Sequence, residues 1–231
     1  MSKLAYTAPL IIQRADPYIY KHTDGYYYFT ASVPSYDRIE IRRARTLEGL
    51  AHAAPRTVWR KHPDGSGPMS QLIWAPEIHF IDGKWYIYFA ASHTKEFDNN
   101  GMFQHRMFCI ECDQENPVCA EEKWIEKGQI KTDKDTFSLD ATEFDWQGDH
   151  YYVWAQKDPA IRGNSNLYIA KMKNPWTLAT KPVMLSKPEY DWEIRGFWVN
   201  EGPAVIHRNG RFFMTLSLIH ISEPTRLALM S

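Results

Sequence analysis

Long apolar runs are missing from this sequence. No stretch approaches the roughly 18 consecutive apolar residues that a membrane helix needs. The N-terminal MSKLAYTAPLIIQRADPY holds only the short run Pro9 to Ile12 before Gln13, too little for a secretory core. The chain is therefore expected to be soluble and cytoplasmic, with no membrane partner. A charge imbalance is missing too: 27 Lys plus Arg stand against 28 Asp plus Glu, which removes the electrostatic case for a nucleic-acid partner. Cysteine is scarce, with only Cys109, Cys112 and Cys119, and an odd number argues against a disulfide framework. Cys109 and Cys112 open like a zinc motif, yet RMFCIECD reads as a strand, where residues three apart face opposite sides. Buried, reduced thiols are expected there, and no metal ligands. The patterns H-E-x-x-H, G-x-S-x-G and G-x-x-x-x-G-K-[ST] do not occur, so metalloprotease, serine-hydrolase and nucleotide-dependent chemistry have no support. Sustained helical periodicity is also absent.

Aromatic residues, in contrast, are plentiful: 9 Trp, 13 Tyr and 11 Phe in 231 residues. Aromatic-rich strands account for most of them, and flat rings with polar edges also suit stacking on sugar faces. Many sit in a strand-turn-strand unit that occurs four times: DPYIYKHTDGYYYFTAS from Asp16, WAPEIHFIDGKWYIYFAA from Trp74, DATEFDWQGDHYYVWAQ from Asp140 and EGPAVIHRNGRFFMTLS from Glu201. The turn glycines Gly25, Gly83, Gly148 and Gly210 recur roughly every sixty residues, and each full interval has room for about four strands. That period is the mark of a β-propeller blade. In a propeller the first strand of each blade lines the central channel, so equivalent positions at its start converge. Asp16, Asp140 and Glu201 open three of the four units and are read as such equivalent positions. Carboxyl groups crowded at one channel repel, which makes at least one hold its proton near neutral pH. Paired carboxyls in an aromatic cleft point to glycosidic-bond hydrolysis, one acid protonating the leaving oxygen and another activating water or attacking the sugar.

Four short motifs in order carry a resemblance: Ala15-Asp16-Pro17, Trp74-Ala75-Pro76-Glu77, Ser138-Leu139-Asp140-Ala141 and Asn200-Glu201-Gly202-Pro203. Together they resemble glycoside hydrolase family 43. The resemblance implies a five-bladed all-β propeller and an inverting hydrolase of arabinosides and xylosides. It further implies Asp16 as general base, Glu201 as general acid, and Asp140 as the group that raises the acid's pKa and holds it in place. Trp74, Glu77, Phe197 and Trp198 flank these acids and are read as substrate-binding candidates. His79 is read as structural. An axial calcium belongs to the intact family fold, no cofactor is required, and no residue of this chain is assigned to the metal.

The expected activity is release of terminal α-L-arabinofuranosyl residues from arabinose- or xylose-containing oligosaccharides. A β-xylosidase of the same family, or a non-catalytic carbohydrate-binding propeller, is the alternative. The repeat carries to Ser217, giving an incomplete catalytic propeller of about three and a half blades over residues 1–217. The following SLIHISEPTR resembles a translated sequencing adapter, so residues 218–231 are read as a non-native tail. A propeller that stops there is expected to be inactive by itself.

Overall fold

The computed structural model describes residues 9–217, and the 218–231 segment read as a non-native tail lies outside them. Strands account for nearly all of the regular structure. Runs rich in Tyr, Trp, Ile and Val, broken by glycine turns, have little alternative, because β-branched and aromatic side chains pack well on a pleated surface. Among the described residues two compact units are present: the chain up to residue 95 with 108–128, and residues 96–107 with the chain from 129 onward.

The first unit holds two antiparallel sheets. In the first, strands β1 (Ala15–Lys21), β2 (Tyr27–Ser32), β3 (Arg38–Ala44) and β4 (Arg56–Arg60) lie in sequence order. In the second, β5 (Gln71–Ile81), β6 (Lys84–Ser92), β7 (Arg106–Cys112) and β8 (Ile125–Gln129) do the same. Tyr28, Ile39, Ile41, Val58 and Trp59 from the first sheet form one buried cluster with Ile78, Trp85, Ile87, Phe89 and Ile110 from the second. Trp85 is its largest fully buried ring. A short helix not anticipated from the sequence, α1 (Leu47–His52), follows β3. Thr46 caps it by accepting the Gly49 N–H at 3.0 Å, and Leu50 is buried against Phe29 and Ala31.

In the second unit, β9 (Ser138–Trp146), β10 (Asp149–Gln156) and β11 (Asn166–Asn174) form a meander. Both β12 (Thr177–Leu178) and β13 (Val183–Ser186) pair with β11. A hairpin of β14 (Glu201–Arg208) and β15 (Arg211–Ser217) follows. Phe212 of the hairpin meets Phe144 and Trp146 of β9 with centroids at 5.0 and 4.9 Å. The all-β, four-strand repeat expected from the sequence is present, with a 3₁₀ turn at Glu121–Lys123 displacing the last strand of the second repeat to Ile125.

Three of the four opening hairpins close through two-residue turns: Asp82-Gly83, Gln147-Gly148 and Asn209-Gly210. Both residues of each have positive φ, for example 49° and 82° in the first, as a type I′ turn demands. The hairpin from β1 to β2 differs. Lys21 pairs with Tyr27, leaving residues 22–26 as a wider turn.

Replacing Trp85 tests where the first unit's stability resides. Its ring meets His22 at 4.7 Å, Tyr28 at 4.7 Å and Phe80 at 4.9 Å between centroids. Trp85→Ala is expected to cost about 3–5 kcal/mol, read as a lower urea midpoint with an unchanged slope.

Candidate active site

Each opening strand carries the same irregularity near its start. The pairing register shifts between Ala15 and Tyr18, between Trp74 and Glu77, beside Asp140, and between Glu201 and Ala204. One extra residue is thereby inserted in the inner strand, a β-bulge, which kinks the strand and re-aims side chains. The extra residue takes left-handed backbone in every case: Asp16 at φ 51°, Ala75 at 44°, Asp140 at 47° and Gly202 at 55°. Aspartate tolerates this region better than most residues.

The bulges correct one expectation. Asp16 and Asp140 occupy equivalent positions, but Glu201 does not. It lies one residue earlier, where the other repeats have Ala15, Trp74 and Leu139, and its bulge residue is Gly202. Aligning on the turn glycines concealed the offset because the wider first turn places Gly25 one residue further from its bulge. The physical reason for the offset is space. A Cβ on Gly202 would meet the Ser217 Cβ at 3.0 Å, so any side chain on the bulge of this hairpin needs Ser217 to give way, and glycine avoids that.

A second regularity was not visible in the sequence. Within each unit, the bulge residue of the later strand donates its backbone N–H to a side chain of the earlier repeat. In the second unit the acceptor is Asp140 itself, whose Oδ2 takes the Gly202 N–H at 3.0 Å. In the first unit the acceptor is Ser32, whose Oγ takes the Ala75 N–H at 2.8 Å and donates to Asp16 Oδ2 at 2.6 Å. Ser32 is 2% exposed, so its bond from Ala75 is shielded from water, while its bond to Asp16 runs out to an exposed carboxylate. The buried Thr30 hydroxyl adds a third tie, donating to the Pro76 carbonyl at 2.6 Å. Ser32 and Thr30 thus anchor Asp16 and the bulge of β5, and motif reasoning missed both.

The segment preceding Glu201 is clamped backbone to backbone. Asn164 donates to the Trp198 carbonyl at 2.7 Å, and Asn200 to the Ser165 carbonyl at 3.1 Å. Ser165 Oγ returns a bond to the Asn200 carbonyl at 3.1 Å, and Asn200 Nδ2 reaches Ser186 Oγ at 2.9 Å. Gly163 is indispensable to this approach, since a Cβ there would stand 2.7 Å from the Trp198 oxygen. Trp198 lies under the Arg162 guanidinium at 4.2 Å, whereas Phe197 is 56% exposed. In the first unit, Trp74 faces the Tyr36 ring at 6.2 Å, and Glu77 Oε2 is 3.2 Å from His79 Nε2. His79 is buried between Tyr18 and Tyr88. A polar cavity of about 430 Å³ in the second unit, lined by Asp98, Gln104, Arg106, Asp135 and Lys157 among others, includes neither Asp140 nor Glu201. Among the described residues no three His, Cys, Asp or Glu side chains gather as a metal ion would require.

Comparison with known proteins adds the following. The family model of glycosyl hydrolases family 43 matches residues 6–229. Over 214 residues the chain is 53% identical to an extracellular exo-α-(1→5)-L-arabinofuranosidase of Streptomyces avermitilis, covering 93% of this chain and 43% of that protein. It is 52% identical over 213 residues to α-L-arabinofuranosidase 43 of Humicola insolens, covering 92% of this chain and 42% of that protein. The crystal structure of α-L-arabinofuranosidase from Lactobacillus brevis superposes with a TM-score of 0.91 at 77% identity, over 92% of this chain and 66% of that one. A thermostable family-43 glycoside hydrolase, 23% identical over 93% of this chain and 67% of that one, shares the fold with a TM-score of 0.72. The likeness bears out the five-bladed β-propeller class, and the chain spans less than half the length of the two curated relatives described above. Relatives named as extracellular overturn the cytoplasmic expectation. That expectation rested on one missing apolar run near residue 1, which does not decide the compartment of a longer protein.

Two substitutions separate these contacts from ordinary turn strain. Gly202→Ala is expected to destabilise more than Gly210→Ala, because both glycines have positive φ but only Gly202 has a neighbour at 3.0 Å, with open space around Gly210. Ser32→Ala, which strands the Ala75 amide, is expected to cost about 1–3 kcal/mol. Denaturant titration checks both; equal costs at Gly202 and Gly210 would remove the crowding argument.

Proposed function

The chain belongs to glycosyl hydrolases family 43, and on that premise we propose that it is part of an inverting, exo-acting α-L-arabinofuranosidase working outside the cell. The observation that carries this reading is the presence of Asp16, Asp140 and Glu201 at the bulged strand starts, in a chain about half identical to proteins named for that activity. The substrate class is an oligosaccharide with terminal α-L-arabinofuranosyl residues, such as an arabinan or arabinoxylan fragment.

In this reading Glu201 protonates the departing glycosidic oxygen, while Asp16 takes a proton from the water that attacks the opposite face of the sugar. Attack from that face inverts the anomeric centre without a covalent intermediate. Two features support the division of labour. Asp16 is solvent-exposed along its strand yet anchored by Ser32, as suits a base that must meet water in a fixed orientation. Glu201 follows a clamped segment and precedes an amide held by Asp140, so its backbone is fixed on both sides. Asp140 then acts as a positioning residue: it fixes the peptide next to the acid, and its negative charge disfavours a second charge nearby. Ring faces at Trp74, Phe197 and Trp198 are proposed to contact the sugar, and Glu77 to meet its hydroxyls.

Leaving-group dependence tests the roles. Glu201→Gln, introduced into the protein that carries this chain, is expected to lose about 10²–10⁴-fold in kcat/KM on natural arabinosides. The loss should be much smaller on nitrophenyl α-L-arabinofuranoside, whose departing phenolate needs no proton. Asp16→Asn should be inactive on both. Equal losses for the glutamine variant would refute Glu201 as the acid. Proton NMR of the first sugar released should show the β-anomer, and nitrophenyl β-D-xyloside should be the poorer substrate.

A further inference from the structure

Three thiols remain that the proposed hydrolysis does not use. Cys109 and Cys112 lie on β7, and Cys119 lies in the loop that follows it. Strand alternation separates the first two. Cys109 is fully buried with its thiol directed at the Ile110 carbonyl, 3.7 Å away. Cys112 is also buried, but its Sγ lies 3.5 Å from the Sγ of the half-buried Cys119.

The loop is built to hold that approach. Val118 N–H donates to Asn116 Oδ1 at 3.1 Å, Trp124 Nε1 donates to the Pro117 carbonyl at 3.2 Å, and Trp85 Nε1 to the Glu115 carbonyl at 3.4 Å. Two buried indoles thus tie residues 115–117 down on either side of the turn, and the partly buried Val118 and Cys119 pack against the apolar cluster that includes Cys112 and Trp124. We propose that Cys112 and Cys119 are a disulfide-forming pair, closing the loop after β7 covalently in an oxidising environment, while Cys109 stays reduced. The pairing stands on the geometry of these residues and is independent of the substrate reading.

The oxidant is a small-molecule disulfide such as oxidised glutathione. The Cys119 thiolate, on the solvent side, attacks one sulfur of the oxidant, forming a mixed disulfide and expelling one thiolate. Cys112 then loses its proton and attacks the Cys119 sulfur, expelling the second thiolate. Two protein thiols are oxidised, one small disulfide is reduced, and the two protons lost by Cys112 and Cys119 pass through solvent to the two released thiolates. Burial pushes the Cys112 thiol up to about 12, which fits its role as the second, resolving sulfur rather than the one that meets the oxidant. Burial likewise holds the Cys109 thiol well above an ordinary thiol.

Incubating the 231-residue chain with oxidised glutathione, blocking free thiols with iodoacetamide and cleaving after acidic residues tests the pairing, because Asp113 and Glu115 separate Cys112 from Cys119. The expected product joins Cys112 to Cys119 and leaves Cys109 alkylated only after unfolding. Forming the bridge should raise Tm by roughly 5 °C, the shift expected for closing so short a loop. Dithiothreitol should reverse the shift, and Cys119→Ser should abolish it. Cys109→Ala should retain the bridge. A bridge involving Cys109, a mixture identical to that formed in guanidinium, a product stopping at glutathionylated Cys119, or a bridge without a Tm rise would each overturn the proposal.

Discussion

An extra residue in left-handed backbone at the start of each inner strand is the constraint on which the rest of this structure turns. A regular strand would present successive side chains to opposite faces. A bulge breaks that alternation at Asp16, Ala75, Asp140 and Gly202, with a second register shift in β5 between Gln71 and Trp74, and so re-aims the side chains around Asp16, Asp140 and Glu201. It also leaves one amide out of the ladder. A buried N–H without a partner is costly, and here the partner comes from the neighbouring repeat: Ser32 for Ala75 and Asp140 for Gly202. The device that aims the acids is thus the device that fastens one sheet to the next.

Proline and glycine in the motifs acquire physical meaning on this basis. Pro17, Pro76 and Pro203 follow the bulge residue, where a missing N–H costs the ladder nothing because pairing has already lapsed. Glycine at position 202 answers the proximity of Ser217, whose Cβ would stand 3.0 Å from an added Cβ, since the same left-handed φ is held by Asp16, Ala75 and Asp140 at the equivalent bulges. The short motifs that mark the repeats in sequence are therefore mostly the chemistry of the bulge, with the acid as one part.

The architecture was legible in the sequence because its signals are local: aromatic alternation, two-residue glycine turns and a period near sixty residues. The acids were legible as members of motifs. What remained hidden depends on contacts between segments distant in sequence. Ser32 and Thr30 look like ordinary strand residues until β5 is placed beside them. The offset of Glu201 was concealed by one wider turn. An odd cysteine count argued against a framework of bridges, yet it says nothing against a single pair, and only the fold of the loop after β7 brings Cys112 to Cys119. The short helix α1 escaped because six residues provide too little periodicity to stand out.

The Ser32 hydroxyl has one further consequence. A hydroxyl group is ordinarily a rotor, free to offer its hydrogen in several directions. Here the Ala75 amide occupies a lone pair of the oxygen, and the single hydrogen turns to Asp16 Oδ2. The rotor is stopped, and the two oxygens of Asp16 become chemically distinct: Oδ2 accepts a bond from a buried donor, and Oδ1 is the oxygen this serine leaves alone. A symmetric carboxylate is thereby given a front and a back by a peptide group in the adjoining sheet.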